Sequence, residues 1–191
     1  MFSLVVGFLP WIILAVLGER WLIVALVLAL VAAGGTSFYQ LLHRELKILD
    51  SVTFIFFVCM VVAIVVFHWM TLAIYMSVLV NVTLTAIAWG SLVAGVPFTV
   101  QYAREKVAPE LWRSPIFIRI NQYITAVWGL NFFLATCVSI YRLQLGNSDP
   151  YSRYAWVAFA LGAAIFTVYF PEWYKCRGLH AMPPSSQGDA S

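Results

Sequence analysis

Long apolar runs separated by short polar stretches make up most of this chain of 191 residues. A helix needs about 20 apolar residues to cross a hydrocarbon layer about 30 Å thick. Six apolar pieces result when the chain is divided at its polar stretches, and the last four are long enough to cross with ordinary tilt. The first two are shorter, so they either cross a thinned bilayer or form a re-entrant hairpin. The pieces are 2–17, 21–36, 51–68, 71–95, 116–141 and 153–171.

The composition indicates which solvent these runs face. Apolar residues make up 63% of the chain and charged residues 10%, which is more apolar surface than a soluble core of this size could bury. The net charge of +3 is too small to predict nucleic-acid binding. We therefore predict an all-α integral membrane protein with about six transmembrane helices. One membrane domain is expected over 1–175 and a flexible tail over 176–191. The first piece has neither a basic region nor a cleavage motif, so we expect a retained helix rather than a signal peptide.

The connections alternate between short turns and longer charged stretches. Eight basic residues lie near helix ends on the side of the longer stretches, against three on the other side. By the positive-inside rule the richer side, with both termini, faces the cytoplasm. The prediction is three hairpins joined on that side by interfacial segments at 37–50 and 97–115. The richer set is Arg44, Lys47, Arg104, Lys106, Arg113, Arg119, Lys175 and Arg177, and the other is Arg20, Arg142 and Arg153.

Both joining segments have a composition suited to the headgroup level. Segment 37–50 groups apolar side chains such as Phe38 and Leu42 apart from its charged ones, which is typical of an amphipathic helix in the headgroup plane. In segment 97–115, the pair Ser114-Pro115 introduces the fifth helix. The basic side chains are predicted to contact anionic lipid and partner proteins, with aromatic anchors beside them. The predicted contact residues are Arg44, Lys47, Tyr102, Arg104, Lys106, Trp112 and Arg113.

The chain offers few residues for catalysis or metal binding. Its three histidines lie in three different segments, and its three cysteines have no CxxC or Cys/His spacing. Glu105 and Glu110 are flanked by basic residues, so solvated ion pairs are favoured there over acid–base catalysis. We expect no catalytic residue, metal or cofactor. A membrane enzyme stays open only if a partner or cofactor supplies the chemistry.

Polar residues inside the apolar runs form stripes on the fourth and fifth helices. Lipid offers them no water, so they must face protein or a water-filled cavity. Two interpretations stay open, namely hydrogen bonding between helices and a path for a substrate. Small residues at four-residue spacing in the fourth and sixth helices allow close packing within the chain or in a homo-oligomer. The striped residues are Ser77, Asn81 and Thr85 on the fourth helix, and Asn121, Thr125, Trp128, Ala135 and Ser139 on the fifth, with Asn131 just beside them.

Three features of the chain carry a resemblance to a known family. Phe8-Leu9-Pro10 opens a short hydrophobic hairpin, residues 42–53 form a short charged bridge, and residues 97–133 form a longer bridge that leads into a helix with a polar start. The residues that carry the longer bridge are Pro97, Trp112, Asn121, Trp128, Phe132 and Phe133. With these features the chain resembles, over roughly residues 1–175, the intracellular septation protein A family of small bacterial inner-membrane proteins. The resemblance implies a non-enzymatic protein that supports cell-envelope integrity and division through contacts with envelope-building machinery.

Two functions of different classes follow. The first is a multi-pass inner-membrane interaction protein whose cytoplasmic segments contact lipid and envelope or division proteins. The second is a small channel or carrier for a neutral or lipid-like substrate, lined by the two polar stripes. They differ in what the stripes do, because hydrogen bonds between the two helices favour the first function and a polar cavity between them favours the second.

Overall fold

The computed structural model describes residues 2–18, 20–43, 47–145 and 160–174. Of the described residues 88% are helical and none lies in a β-strand, which confirms the all-α class. The predicted tail at 176–191 lies outside the described residues. The helices are α1 (Phe2–Leu17), α2 (Leu22–His43), α3 (Ile48–Val61, continued by a π-helical turn over Val62–Val66), α4 (Thr71–Ile74), α5 (Met76–Val93), α6 (Phe98–Ala103), α7 (Pro115–Gln144) and α8, described over 160–174.

Four helices in the described part of the chain are long and apolar enough to cross a membrane. They are α2, α3 with its π-helical turn, α5 and α7. Helix α1 has 16 residues, or about 24 Å of length at 1.5 Å per residue. The chain is therefore a membrane protein by the length and composition of its helices. Six spans and their arrangement as three hairpins stay predictions.

The second helix is longer than predicted. It continues to His43, whereas the sequence pattern ended it at residue 36. Leu42 on this helix is exposed, whereas Leu49 on α3 is buried. Residues 37–43 belong to α2 and residues 48–50 to α3, so the structure corrects the prediction of one separate helix over 37–50. The physical reason is that polar residues such as Gln40, which resemble a helix end in the sequence, are satisfied by hydrogen bonds to Lys47 and Asp50 at the start of the next helix.

The long helices pack against one another around an aromatic core. Helix α1 contacts α2, α2 contacts α3, and α5 contacts α7 along its length. Trp11 of α1 lies at 5.0 and 5.1 Å from the rings of Phe56 and Phe57, and its indole N–H donates to Thr53 Oγ1 at 3.0 Å. Phe8 stacks on Trp128 of α7 at 5.4 Å. The short first helix is therefore anchored to both α3 and α7.

The end of α5 directs the next segment into the bundle. Gly95 has a φ of 74° and donates to Leu92 O, while Val96 donates to Ser91 O, which is the hydrogen-bond pattern of a Schellman motif. The buried Ser91 hydroxyl then accepts the Phe98 N–H at 3.1 Å. Helix α6 therefore starts inside the bundle, and the chain returns to the surface after it, from Arg104 onward.

Candidate functional site

Two charged side chains are buried at the start of α3. Lys47, directly before the helix, is 8% exposed, and Asp50, in its first turn, is 2% exposed. The positive end of the helix dipole favours a carboxylate at the position of Asp50. A buried charge is nevertheless costly unless it is hydrogen-bonded, so the partners of these two residues decide their role.

Asp50 is held by donors from two other helices. The Tyr102 hydroxyl of α6 donates to Asp50 Oδ2 at 2.7 Å, and the Gln40 side-chain amide of α2 donates to the same oxygen. Gln40 Oε1 in turn accepts the Lys47 backbone N–H at 3.1 Å. Gly7 of α1 completes the site, because a Cβ there would lie 2.8 Å from Tyr102 Oη and 3.0 Å from Asp50 Oδ1. The carboxylate is thus a fixed acceptor rather than a free base.

Lys47 joins the same region to the segment after α6. Its ammonium group donates to Ser3 Oγ at 3.0 Å and to the Glu105 carboxylate, and it lies 4.6 Å from the centre of the Tyr102 ring. Ser3 Oγ also donates to Glu105 Oε1 at 2.9 Å. We call Ser3, Gln40, Lys47, Asp50, Tyr102 and Glu105 the buried cluster, although Glu105 lies at its exposed edge.

The surroundings set the protonation of two cluster members. Burial raises the pKa of the Tyr102 hydroxyl well above its usual range, and the charge and hydrogen bond of Asp50 raise it further. Tyr102 therefore remains a donor. Partial burial acts to raise the pKa of Glu105, but hydrogen bonds from Lys47 and Ser3 and the charge of Lys47 outweigh it and lower that pKa. Glu105 therefore remains a carboxylate paired with Lys47.

A cavity of about 610 Å³ adjoins the buried cluster between α1 and α2. Lys47, Asp50 and Glu105 line it together with Tyr39 and His43 of α2. Lys47, Asp50 and Glu105 on this wall already have partners within the protein. Within the described part of the chain, no three His, Cys, Asp or Glu side chains come together as metal ligands.

The residues from Arg104 to Arg113 form an exposed surface that we call the platform. It contains two short 3₁₀-helices, Arg104–Lys106 and Pro109–Leu111. The Arg104 guanidinium lies 5.4 Å from the centre of the Trp112 ring, and the Trp112 indole N–H donates to Val107 O at 2.9 Å. These local contacts order the platform, and the bond from Glu105 to Lys47 joins it to the buried cluster.

The structure divides the predicted contact residues into two groups. Lys47 and Tyr102 lie in the buried cluster, where they bind Glu105 and Asp50. Four others lie on the platform, where the three basic side chains are exposed and the tryptophan is half-buried. Arg44 lies outside the described residues. The platform members are Arg104, Lys106, Trp112 and Arg113.

The polar stripes contact each other and neighbouring helices. Ser139 Oγ of α7 lies 2.9 Å from Ser77 Oγ and accepts from the Asn81 amide at 3.2 Å, which joins α5 to α7. Thr85 donates to Asn81 O within its own helix at 2.7 Å. This network favours the interhelical-bonding interpretation.

The remaining members of the α7 stripe face other neighbours. Thr99 Oγ1 lies 2.7 Å from Thr125 Oγ1 and also contacts Asn121 O at 3.0 Å, so both residues help to hold α6. The Trp128 indole N–H donates to Thr167 of α8 at 3.0 Å. Asn131 is buried, and its side-chain oxygen accepts no hydrogen bond from the described residues.

Sequence reasoning misses half of the buried cluster, namely Ser3, Gln40 and Asp50. The sequence pattern puts Asp50 among the charged residues of segment 37–50, and it gives no signal for Ser3, Gln40 or the neighbouring Gly7. One local signal was available, because Lys47 and Asp50 are three residues apart and lie on one face where a long apolar run begins. The partners themselves are 40 or more positions away for most of the bonds, so no local pattern could identify them.

No protein-family model, curated protein or solved structure matches the chain. The resemblance to the septation protein A family therefore stays a prediction. The functional argument rests on the geometry of the buried cluster and the platform.

Proposed function

We propose that this chain is a non-enzymatic multi-pass membrane protein that acts through lipid and protein contacts made by the platform. The observation that carries the proposal is the bond between Lys47 and Glu105. It ties the platform to the buried cluster at Glu105, while the neighbouring Arg104 and Lys106 remain exposed. A charged surface that is fixed to a folded core can present its cations to a partner without first becoming ordered.

The chemistry of the platform suits anionic headgroups. Each Lys or Arg near an anionic membrane surface contributes about 1 kcal/mol of attraction, and a tryptophan such as Trp112 suits the interface between lipid and water. Arg104, Lys106 and Arg113 supply three exposed cations. Lys47 contributes indirectly, since it holds Glu105 and with it the position of the platform.

The wider role is part of the same proposal. The resemblance to the septation protein A family supports a role in cell-envelope integrity and division in a bacterial inner membrane. The charge count supports cytoplasmic termini, which would place the platform on the cytoplasmic face. Envelope or division proteins are then the partners, and a homo-oligomer is compatible with the small-residue spacing.

Complementation tests the proposal against the carrier alternative. In a strain that lacks its own copy of the gene, we expect the double variant Arg104→Glu, Arg113→Glu to fail to restore normal cell length, although it reaches the membrane in normal amount. The stripe variant Asn81→Ala, Asn121→Ala should restore cell length. If the platform variant complements and the stripe variant fails at equal abundance, the carrier function is supported instead.

A further inference from the structure

A second cavity, distinct from the one beside the buried cluster, lies next to the platform. Its volume is about 560 Å³, which falls within the range of about 300 to 1,000 Å³ that small-molecule sites occupy. Its walls come from α1, α6, the platform, α7 and α8, so five parts of the chain line it. Representative wall residues are Leu4, Ala103, Val107, Ile120 and Val168.

The polar groups on the wall of this cavity are already bonded to protein. Thr99 contacts Thr125, the Tyr102 hydroxyl donates to Asp50, and the Asn121 amide donates to Phe117 O at 2.9 Å. Thr167 donates to Ala163 O at 2.8 Å. These groups need no hydrogen bond from a ligand. The remaining surface of the cavity is apolar, so it favours an apolar chain as the occupant.

The charge at the edge of the cavity is positive. Lys106 lines it, is exposed and forms no ion pair with any described residue. Ser114, Ile116 and Phe117 line the same edge, and they stand at the start of α7, where the Ser114 side chain caps no backbone N–H. The first turn of a helix leaves N–H groups unpaired and carries a partial positive charge. Both features complement an anion.

We propose that this cavity binds one anionic phospholipid, with an acyl chain between α6, α7 and α8 and the phosphate beside Lys106. The inference rests on the proposed function, because Lys106 belongs to the platform, and it deepens that function by naming one bound lipid. A phospholipid suits the location, since α7 is long enough to cross a membrane and its first turn forms the edge of the cavity. The acyl chain would thus enter at the depth where a membrane-spanning helix begins.

Native mass spectrometry of the purified full chain tests the proposal. The protein is delipidated in detergent and then incubated with phosphatidylglycerol or phosphatidylcholine of identical acyl chains. We expect the wild-type protein to retain one phosphatidylglycerol, and Ala103→Phe, which fills the cavity, to retain none. Ala86→Phe is the matched control, because Ala86 is exposed on α5 and lines neither cavity. That variant should retain lipid as the wild type does.

A second comparison of variants tests the proposed position of the lipid phosphate beside Lys106. Lys106→Gln should reduce the preference for phosphatidylglycerol over phosphatidylcholine about fivefold, the ratio that ~1 kcal/mol per basic residue gives. Arg113→Gln removes a platform charge outside the cavity wall and should leave the preference unchanged. Equal retention of the two lipids by the wild type would overturn the anionic assignment.

Several results would overturn the site itself. They are a wild type that retains no lipid, a variable number of lipids that does not saturate at one, and full retention by Ala103→Phe. If Ala103→Phe loses helical content in circular dichroism, Ile116→Trp replaces it, since Ile116 lies at the exposed edge and tolerates added volume. A negative result leaves the complementation test of Arg104 and Arg113 unaffected, so the two proposals can fail separately.

Discussion

The Tyr102 hydroxyl donates a 2.7 Å hydrogen bond to the Asp50 carboxylate across 52 positions of the chain. This bond joins α6, the short helix after α5, to the first turn of α3. Because Asp50 also accepts from Gln40 and lies against Gly7, one carboxylate links four helices. The stability of this end of the bundle therefore depends on a few polar atoms.

Removing the Tyr102 donor should destabilise the fold. Tyr102→Phe keeps the ring that lies under the Lys47 ammonium group but loses the bond to Asp50, and a hydrogen bond to a charged group contributes about 1.5 to 3 kcal/mol. We expect a lower melting temperature in detergent. Tyr39→Phe, at an exposed tyrosine, is the control and should melt as the wild type does. Equal melting of both variants would show that the Asp50 bond contributes nothing.

Two glycine substitutions should have opposite effects. Gly7→Ala places a methyl group 2.8 Å from Tyr102 Oη, and such overpacking costs about 1 to 3 kcal/mol. Gly35→Ala in α2 meets no atom within 4 Å, and alanine is favoured over glycine in a helix by about 0.5 to 1 kcal/mol. Denaturation of both variants in the same detergent measures the two changes in stability. A Gly7→Ala variant at least as stable as Gly35→Ala would contradict the close approach of Gly7 to Tyr102 and Asp50.

The link between Lys47 and Glu105 predicts a pH dependence. The pKa of Glu105 is lowered in the folded state, so its contribution to stability is present above the ordinary carboxyl pKa of about 4.3 and is lost as the pH falls through the lowered value. The difference in melting temperature between the wild type and Glu105→Gln should therefore be constant from neutral pH to about pH 5 and shrink below that.

Glu110 supplies the matched control for the pH experiment. It is exposed on the platform and forms no ion pair with any described residue. Glu110→Gln should differ from the wild type by the same small amount at every pH. A Glu105→Gln difference that stays constant into strong acid would mean that the Lys47 bond does not stabilise the folded state.

The Ser139 hydroxyl, which joins α7 to α5, should make a modest contribution to the stability of the fold. Ser139→Ala removes the oxygen that contacts Ser77 and Asn81, and hydrogen bonds between membrane helices contribute about 0.6 to 2 kcal/mol. Thr83→Ala is the control, since Thr83 donates only to Leu79 O in its own helix. Unfolding in mixed micelles should separate the two variants. Equal unfolding would argue that the stripe does not join the helices.

Local pattern predicted the helices well where their ends have local signals. The pieces predicted at 2–17 and 116–141 correspond to Phe2–Leu17 and Pro115–Gln144, since Ser114-Pro115 marks the start of α7. The end of α2 was missed because Gln40 and His43 resemble a helix end in the sequence, although Gln40 bonds to Asp50 in the folded chain. Local spacing describes an isolated helix, and it cannot anticipate a partner on another helix.

The candidate site, too, could be predicted from the sequence only in part. The exposed members Arg104, Lys106 and Arg113 could be identified because charges stand out in an apolar chain. The buried members could not, because burial of Lys47 and Asp50 depends on residues from α1, α2 and α6 that meet only in the folded structure. The same charge pattern is compatible with a solvated segment, and only the tertiary contacts distinguish the two cases.

The most direct test of the central claim compares one charge reversal at each end of the bundle. Arg113→Glu alters the platform, and Arg20→Glu makes the same change at an exposed arginine between α1 and α2. Both variants are expressed at equal membrane abundance in a strain lacking its own copy, and cell length is measured. The account predicts that Arg20→Glu restores normal length and Arg113→Glu does not. Full restoration by Arg113→Glu would contradict it.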